Sequence, residues 1–393
     1  MIDRADLRRR VAAVVPEMVA LRHSLHRIPE LHFQERQTAA LIRKTLAAHS
    51  LEILPPLVET DVVGILRGSK PDGRCILLRS DIDALPVLER TGAEWQSETP
   101  GKAHSCGHDG HMAILVGTLR VLEGLVGELA GSVRFVFQPA EEESRGGKVL
   151  IDKGLLDLAP RPDFAFALHG WVGVPLGAVS SAPGPMMAAA DSFLITISGR
   201  GGHAGMPHRT VDPVLTAAQV VTSLQSIVSR GVDPLSPVVL SLCRIEGGHA
   251  SNVIPDTVVI EGTTRSFDRA LQQSLRPAME RIIGGVCSAA GCTYQVCYDE
   301  GYIPLVNDPE AVKLAQAAVT RYMGAEAWAG AHPPSMGAED FAFYLEKIPG
   351  ALLRLGLGHE WPALHSPSFD FNDRALETGI MAFVSLVLDL AAR

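Results

Sequence analysis

Little in this chain invites a membrane or a nucleic acid. No run approaches the roughly twenty apolar residues of a membrane-crossing helix. No lysine- and arginine-rich block occurs, and 35 basic against 44 acidic residues leave a formal charge of −9, which argues against a nucleic-acid partner. The amino terminus, Met1-Ile-Asp-Arg-Ala-Asp, lacks a basic region followed by an apolar core and a small-residue cleavage site, so no signal peptide is expected. Cysteine is sparse: Cys75, Cys106, Cys243, Cys287, Cys292 and Cys297 do not make the dense framework of a small secreted domain. A reducing cytoplasm is the expected setting, with every cysteine but Cys106 inert. Internal repeats and low-complexity tracts are absent as well.

What is present is an ordinary globular composition, 47% hydrophobic and 20% charged, in a chain of 393 residues. That length exceeds what one hydrophobic core usually holds, so two domains are expected.

The chemistry gathers around Cys106-Gly107-His108-Asp109-Gly110-His111. A thiol and an imidazole two residues apart on a Gly-flanked loop can aim at one point, and both are ligands for zinc and its neighbours. An apolar-periodic helix is expected from Met112 to Leu125. A lone C-x-H is more often a buried cysteine beside a capping histidine. Three strand-like runs change that balance. Cys75-Ile-Leu-Leu78 leads into Asp81-Ile-Asp83, Val133-Arg-Phe-Val-Phe137 into Glu141-Glu142-Glu143, and Phe164-Ala-Phe-Ala-Leu168 into His169. Acids and imidazoles just past the carboxyl ends of strands are where open α/β sheets place their sites.

Elsewhere the periodicity predicts a first amphipathic helix over 3–25 and a second over about 35–48, with a strand at Val62-Val-Gly-Ile-Leu66. His23, His26 and His32 have no acid or thiol at ligand spacing and are read, with the segment up to Glu35, as structural. Strands and helices then alternate up to Trp171, the pattern of a largely parallel α/β sheet. The turn-rich Ser180-Ser-Ala-Pro-Gly-Pro185 marks a boundary. Beyond it comes the order β-α-β-β-α-β, with strands over 192–198, 238–244, 258–265 and 293–298 and helices over 212–228 and 268–290; this is the split ferredoxin-like motif. The chain then returns to the first domain with a helix, a strand at 351–355, the His365 loop and a last helix capped by Asn372 or Asp373. The expected domains are 1–183 and 299–393, catalytic, around an inserted 184–298.

Asp81-Ile-Asp83-Ala-Leu-Pro, Cys106-Gly-His-Asp-Gly-His111, Gln138-Pro-Ala-Glu-Glu142, His169-Gly, Gly201-Gly-His203-Ala, Asn252-Val-Ile-Pro255 and His365-Ser-Pro follow one another in order. The series resembles the amidohydrolase branch of the co-catalytic metallopeptidases, which contains hippurate hydrolases, N-acyl-amino-acid amidohydrolases and plant auxin-conjugate hydrolases. The likeness runs from Arg22 to the C-terminal helix. It implies a zinc-exopeptidase-like α/β catalytic domain with a ferredoxin-like lid and dimerisation domain. It implies five metal ligands, Cys106, His108, Glu142, His169 and His365, enough for two divalent ions roughly 3.5–4 Å apart. Zinc or manganese is expected, with nickel and cobalt as alternatives, and the bridging ligand is left open.

By the same resemblance Glu141 is the general base that takes a proton from a metal-activated water and returns it to the leaving amine. Where the wider clan has His-x-Asp, this chain has Asp81-Ile-Asp83, so both acids are expected to orient a ligand imidazole, Asp83 as part of the catalytic set. The bland alternative is an acid closing a turn before Pro86. His104, Asp109 and His111 lie close by, and His111 is expected to cap or pack. Gly337-Ala-Glu339-Asp340-Phe341 is expected to support the site. Gly199-Arg-Gly201-Gly-His203-Ala204 imitates a dinucleotide loop, yet Met206-Pro to Asp212-Pro213 postpones the helix such a loop needs. The resemblance instead makes His203 an oxyanion donor reaching in from a partner subunit, which implies a homodimer or dimer of dimers. Asn252 and Arg265 resemble the pair that grips a substrate carboxylate, against an exposed strand residue as the alternative for Arg265.

The expected function is a cytoplasmic di-metal amidohydrolase of hippurate-like or N-acetyl amino acids, a small-molecule enzyme. A dipeptidase or urea-type amidohydrolase on the same scaffold is the second reading. A non-catalytic metal-binding or thiol-redox protein is the third, although Cys106 has no C-x-x-C partner.

Overall fold

Helix α1 (Arg4–His26) buries Leu7, Val11, Met18 and Leu25, the apolar face its periodicity predicts. The computed structural model describes residues 2–391, the side chain of Pro71 apart; the outer ends of the expected domains, residues 1 and 392–393, lie outside the described residues. Helix α2 (Arg36–Leu46) and strands β1 (Glu52–Ile53), β2 (Val62–Arg67) and β3 (Lys70–Asp81) follow. Helix α3 (His108–Glu123) begins four residues before the expected Met112, because Gly107, at φ 88°, turns the chain left-handed straight into the helix. His108 is therefore a first-turn helical residue and not a loop residue. Apart from Arg120 and Glu123 the helix is buried all round, as a helix in the middle of a domain must be.

Next come β4 (Ala130–Gln138), α4 (Gly146–Asp152), β5 (Phe164–Val172), β6 (Val179–Ser180) and β7 (Gly184–Met187), then β8 (Ala189–Ser198), β9 (Gly202–His203), α5 (Pro213–Ser226), β10 (Val238–Glu246), β11 (Val253–Ile254), β12 (Thr257–Ser266), α6 (Arg269–Ala290) and β13 (Thr293–Tyr302). The chain finishes with β14 (Leu305–Asn307), α7 (Pro309–Met323), α8 (Ala342–Leu345), β15 (Gly350–Gly358) and α9 (Leu376–Leu390). Asn372 caps a short 3-10 turn that leads into α9, accepting from the Arg374 N–H.

Two units divide the described chain. The first takes in the residues up to Gly184, Val306–Pro333 and the residues from Asp340 on. Its sheet has the order β1-β2-β4-β3-β5-β15-β6 among the described residues. The four strands β4, β3, β5 and β15 are parallel; β1, β2 and β6 pair antiparallel at the margins. Strands covered on both faces read as near-continuous apolar runs, which is why Val133–Phe137 and Phe164–Leu168 show no alternation. Helix α3 packs against both α1 and α9 in the apolar core.

The second unit comprises Pro185–Leu305 and Pro334–Glu339. It extends past the expected 298 because β13 runs on to Tyr302. Residues 334–339 join it through backbone hydrogen bonds: Ala188 N–H donates to the Ser335 and Gly337 carbonyls at 3.1 and 2.9 Å. Its antiparallel sheet has the order β10-β12-β8-β13. Alternate residues of β8, Phe193, Ile195 and Ile197, pack with Val220 and Leu224 of α5 and Leu275, Met279 and Ile283 of α6. Asp212 and Asp268 cap the two helices by accepting from backbone N–H groups. Among the described residues no helix is long and apolar enough to cross a membrane.

Candidate metal centre

Because β3 lies between β4 and β5, the carboxyl-terminal parts of these three parallel strands are neighbours at one edge of the sheet. They carry Asp81 at the end of β3 with Asp83 just beyond it, Glu141 with Glu142 past β4, and His169 inside β5, which runs on to Val172 beyond the expected Leu168. The turn into α3 brings Cys106 and His108 to the same edge. His365 arrives on a loop, at a left-handed φ of 64°, with its N–H donating to the Ser105 carbonyl at 2.8 Å.

The five expected ligands come together. Donor atoms of Cys106, His108 and His169 lie within 4.8 Å of one another, as do those of Cys106, Glu142 and His365, and those of His108, Glu141 and Glu142. Cys106 belongs to two of these groups. Its Sγ is 3.4 Å from His169 Nε2, and Glu142 Oε1 is 3.7 Å from His108 Nε2 and 3.5 Å from His365 Nε2. Ligands at about 2.0–2.3 Å from one tetrahedral ion stand roughly 3.5 Å apart, so the spacings suit metal coordination.

Local hydrogen bonds set the imidazole tautomers. A carbonyl can only accept, so His108 Nδ1 donates to the Asp83 carbonyl at 2.8 Å and His169 Nδ1 donates to the Gly170 carbonyl at 2.8 Å. Each Nε2 is then the ring's ligand atom, turned inward. Burial, with His111 nearby, holds His169 down to about 3, which keeps that lone pair available.

Electrostatics test whether cations fit. Burial and the carboxylates of Glu142, Glu141 and Asp81 push the Cys106 thiol well above its usual range. Burial pushes Glu142 up to about 7 although His108 pulls the other way. Burial opposes charge on His108, yet Asp81, Asp83 and Glu142 lift it to about 10. Burial and crowded carboxylates together produce these shifts. His108 Nε2 and Glu142 Oε1 are also buried with no hydrogen-bond partner. Divalent cations answer both the crowding and the missing partners, and thiolate, imidazole and carboxylate are their donors. The acidic run is not a solvated face: Glu141 is 6% exposed and the Glu142 side chain 10%, whereas the Glu143 side chain is 56% exposed and pairs with His32.

His111 is not a ligand on this geometry. Its Nε2 accepts from Gly170 N–H at 2.9 Å, and its Nδ1 donates to Asp81 Oδ1 at 2.7 Å, so both nitrogens are engaged. Burial alone would raise Asp81, but His108, His111 and Arg79 hold it well below the usual carboxylate range. Asp83 touches two candidate groups: Oδ1 lies 3.3 Å from His108 Nδ1, and Oδ2 accepts from Glu142 N–H at 3.0 Å.

Sequence reasoning expected Asp81 and Asp340 to support the site but missed Arg79, which joins them in a buried network. Arg79 donates to Asp81 Oδ2 and to Asp340 Oδ1, both at 2.7 Å, and to Gln138 Oε1 at 3.0 Å; Asp340 Oδ2 accepts from Gly147 N–H at 2.7 Å. The available signal was an arginine at the end of an apolar strand run. The N-terminal histidines pack, as expected: His26 bridges Asp109 at 2.8 Å and Glu89 at 3.2 Å, and His23 stacks on Trp95 with ring centroids 3.7 Å apart. His104 is buried, and burial holds it down to about 4.

In the second unit, β9 pairs antiparallel with β11, setting Val253 opposite His203, and Ala204 N–H donates to the Asn252 carbonyl at 3.0 Å. His203 and Asn252 are thereby neighbours. His203 Nδ1 accepts from Gly205 N–H at 2.9 Å, which leaves Nε2–H as an outward donor. Arg265 is not joined to Asn252. It sits in β12 between Val239 and Ala190, its guanidinium turned to Thr263 Oγ1 and, at 2.9 Å, to the Thr264 carbonyl.

Thiol, imidazole and carboxylate donors at one strand-end edge, with a further buried acid beside them, define a hydrolase working through bound divalent metal. The chain belongs to peptidase family M20/M25/M40, whose model matches residues 77–389. It is 42% identical over 311 residues to the N-acyl-L-amino acid amidohydrolase of Geobacillus stearothermophilus, covering 79% of this chain and 83% of that one. It is 37% identical over 375 residues to the N-acetylcysteine deacetylase of Bacillus subtilis, covering 94% and 96%. Among solved structures, a dinuclear metal-binding peptidase of the M20 family from Bacillus subtilis superposes with a TM-score of 0.84 at 32% identity, over 97% of this chain and 99% of that one.

Proposed function

We propose that this enzyme hydrolyses the amide bond of N-acyl amino acids, with hippurate-like or N-acetyl substrates. The observation that carries the reading is the turn after β4, which sets Glu141, a buried acid, beside Glu142 in a cluster with Cys106, His108, His169 and His365. The relatives named for N-acyl-L-amino acids and N-acetylcysteine support the substrate class.

Cys106, His108, Glu142, His169 and His365 would hold two divalent ions, zinc or manganese, with nickel or cobalt as alternatives. When bound, these ions supply a water of lowered pKa and polarise the scissile carbonyl. Glu141 takes the proton of the attacking water and delivers it to the leaving amine. Asp83 keeps His108 in the Nε2-ligating tautomer from its carbonyl and braces the Glu142 amide with its carboxylate. His203 offers Nε2–H to the carbonyl oxygen as negative charge develops there. Asn252 and Arg265 grip the free carboxylate. The hydrogen bonds of Arg265 go to the neutral oxygens of Thr263 and Thr264.

The second unit is read as a ferredoxin-like lid and dimerisation domain, its strand order supporting the topology. The protein is read as a cytoplasmic homodimer or dimer of dimers in which His203 serves the partner's site. The test is amino-acid release from hippurate, N-acetyl amino acids and dipeptides, with zinc or manganese against a chelator. Metal-dependent release from N-acyl substrates, lost in Glu141→Gln, is expected; cleavage of dipeptides alone would overturn the reading. Mixing Glu141→Gln with His203→Ala should restore part of the activity, and mixed dimers that stay dead would refute action in trans.

A further inference from the structure

Glu141 and Glu142 stand on a turn that the backbone does not favour. Ala140 lies at φ 59°, left-handed, without being glycine. Gly146 N–H donates to the Ala140 carbonyl at 2.9 Å and closes the loop over 140–146. Ala140 itself is fully buried, so its own N–H must find a partner inside the protein. The partner is Glu35 Oε1, at 2.9 Å and 105 residues away in sequence.

Glu35 occupies the N-cap of α2 but makes no side-chain cap to that helix. It is fully buried. A helix start needs no buried acid, and the placement is costly, since burial and the Asp83 carboxylate push Glu35 up to about 7. On the far side of Glu141, Asp83 Oδ2 accepts from Glu142 N–H at 3.0 Å. The amides immediately before and after Glu141 are thus each held by a buried carboxyl group, one from β3's end and one from the start of α2.

We propose that Glu35 is a positioning residue: by accepting the Ala140 N–H it holds the left-handed turn that aims Glu141 at the attacking water and Glu142 at the metal pair. The proposal rests on the roles read above for Glu141 and Glu142. It requires a hydrogen-bond acceptor at position 35 rather than a charge.

Metal-loaded wild type, Glu35→Ala, Glu35→Gln and Glu35→Asp are compared by amide hydrogen exchange of peptides over 139–146, by chelator competition for zinc, and by kcat and KM. Glu35→Ala should exchange about tenfold faster over 139–146 while α1 and α9 keep their protection, and should lose about 10–100-fold in zinc affinity and kcat with KM little changed. Glu35→Gln, which keeps an acceptor oxygen, should stay near wild type, and the shorter Glu35→Asp should fall between, serving also if the alanine variant does not fold. Unchanged exchange over 139–146, faster exchange throughout the chain, or a glutamine variant as damaged as the alanine one would overturn the proposal. So would faster exchange with zinc affinity and kcat intact. Glu141→Gln and Glu142→Ala run as controls: if they keep turnover and metal, it is the reading of the site that has failed, and exchange over 139–146 still decides whether Glu35 holds the turn.

Discussion

The N–H of Gly170 donates to Nε2 of His111 at 2.9 Å, and this one bond separates a histidine that ligates from one that supports. It occupies the His111 lone pair, and it anchors the peptide immediately after His169. The consequence is that His111→Ala should still bind two ions per chain at saturating zinc, with affinity reduced about 10–100-fold because His169 loses its brace. Metal content after dialysis and a chelator titration check this; binding of a single ion would make His111 a ligand.

Gly146 is where the loop carrying Glu141 and Glu142 closes on itself. A Cβ there would stand 1.8 Å from the Pro139 carbonyl oxygen and 3.2 Å from Ala140 Cβ, so the turn must open to admit it. Gly146→Ala should destabilise by about 1–3 kcal/mol in urea unfolding. Its kcat should fall by more than that stability loss explains at a temperature where the variant remains folded.

Asp340 receives Arg79, Gln138 and the Gly147 amide in a fully buried network. Asp340→Ala removes one carboxylate from a buried guanidinium and should cost about 3 kcal/mol or more. Asp340→Asn, which preserves an acceptor oxygen, should cost less. Denaturant midpoints of the two variants make the comparison; equal and small losses would show that the network does not stabilise the strand ends.

His26 gives a pH dependence with a defined sign. Burial alone would lower it, but Asp109 and Glu89 raise it from 6.5 to about 10. Its folded pKa lies above its unfolded one, so its stabilisation is complete below about 6.5 and is lost as pH rises from there through 10. Chelated wild type should therefore exceed His26→Gln in urea midpoint by most near pH 6, with the gap shrinking toward pH 10. A gap that widens with pH would reverse the assignment.

Much of the site was legible because its pieces are local. Cys106 and His108 share one turn, Glu141 and Glu142 are adjacent, and Asp81 with Asp83, Glu141 with Glu142, and His169 each come after an apolar run that reads as a strand. The helix starting at His108 was misplaced by four residues, since a left-handed Gly107 is a backbone choice that apolar periodicity cannot register. The local setting of Arg265 was not legible in that way. Its sequence neighbours do not reveal that the guanidinium folds back on Thr263 and Thr264. Glu35 was read as structural for a similar reason: a carboxylate's role depends on which amide it meets, and Ala140 is 105 residues away.

The sequence by itself determined the element order and the set of donors, because periodicity and donor chemistry belong to short stretches of chain. Only the tertiary structure decided which imidazole nitrogens face inward, which acids stand behind the donors and which amides those acids hold. Each of those depends on a hydrogen bond between segments that strand order brings together, as when β3 enters between β4 and β5 and sets Asp83 against the amide of Glu142.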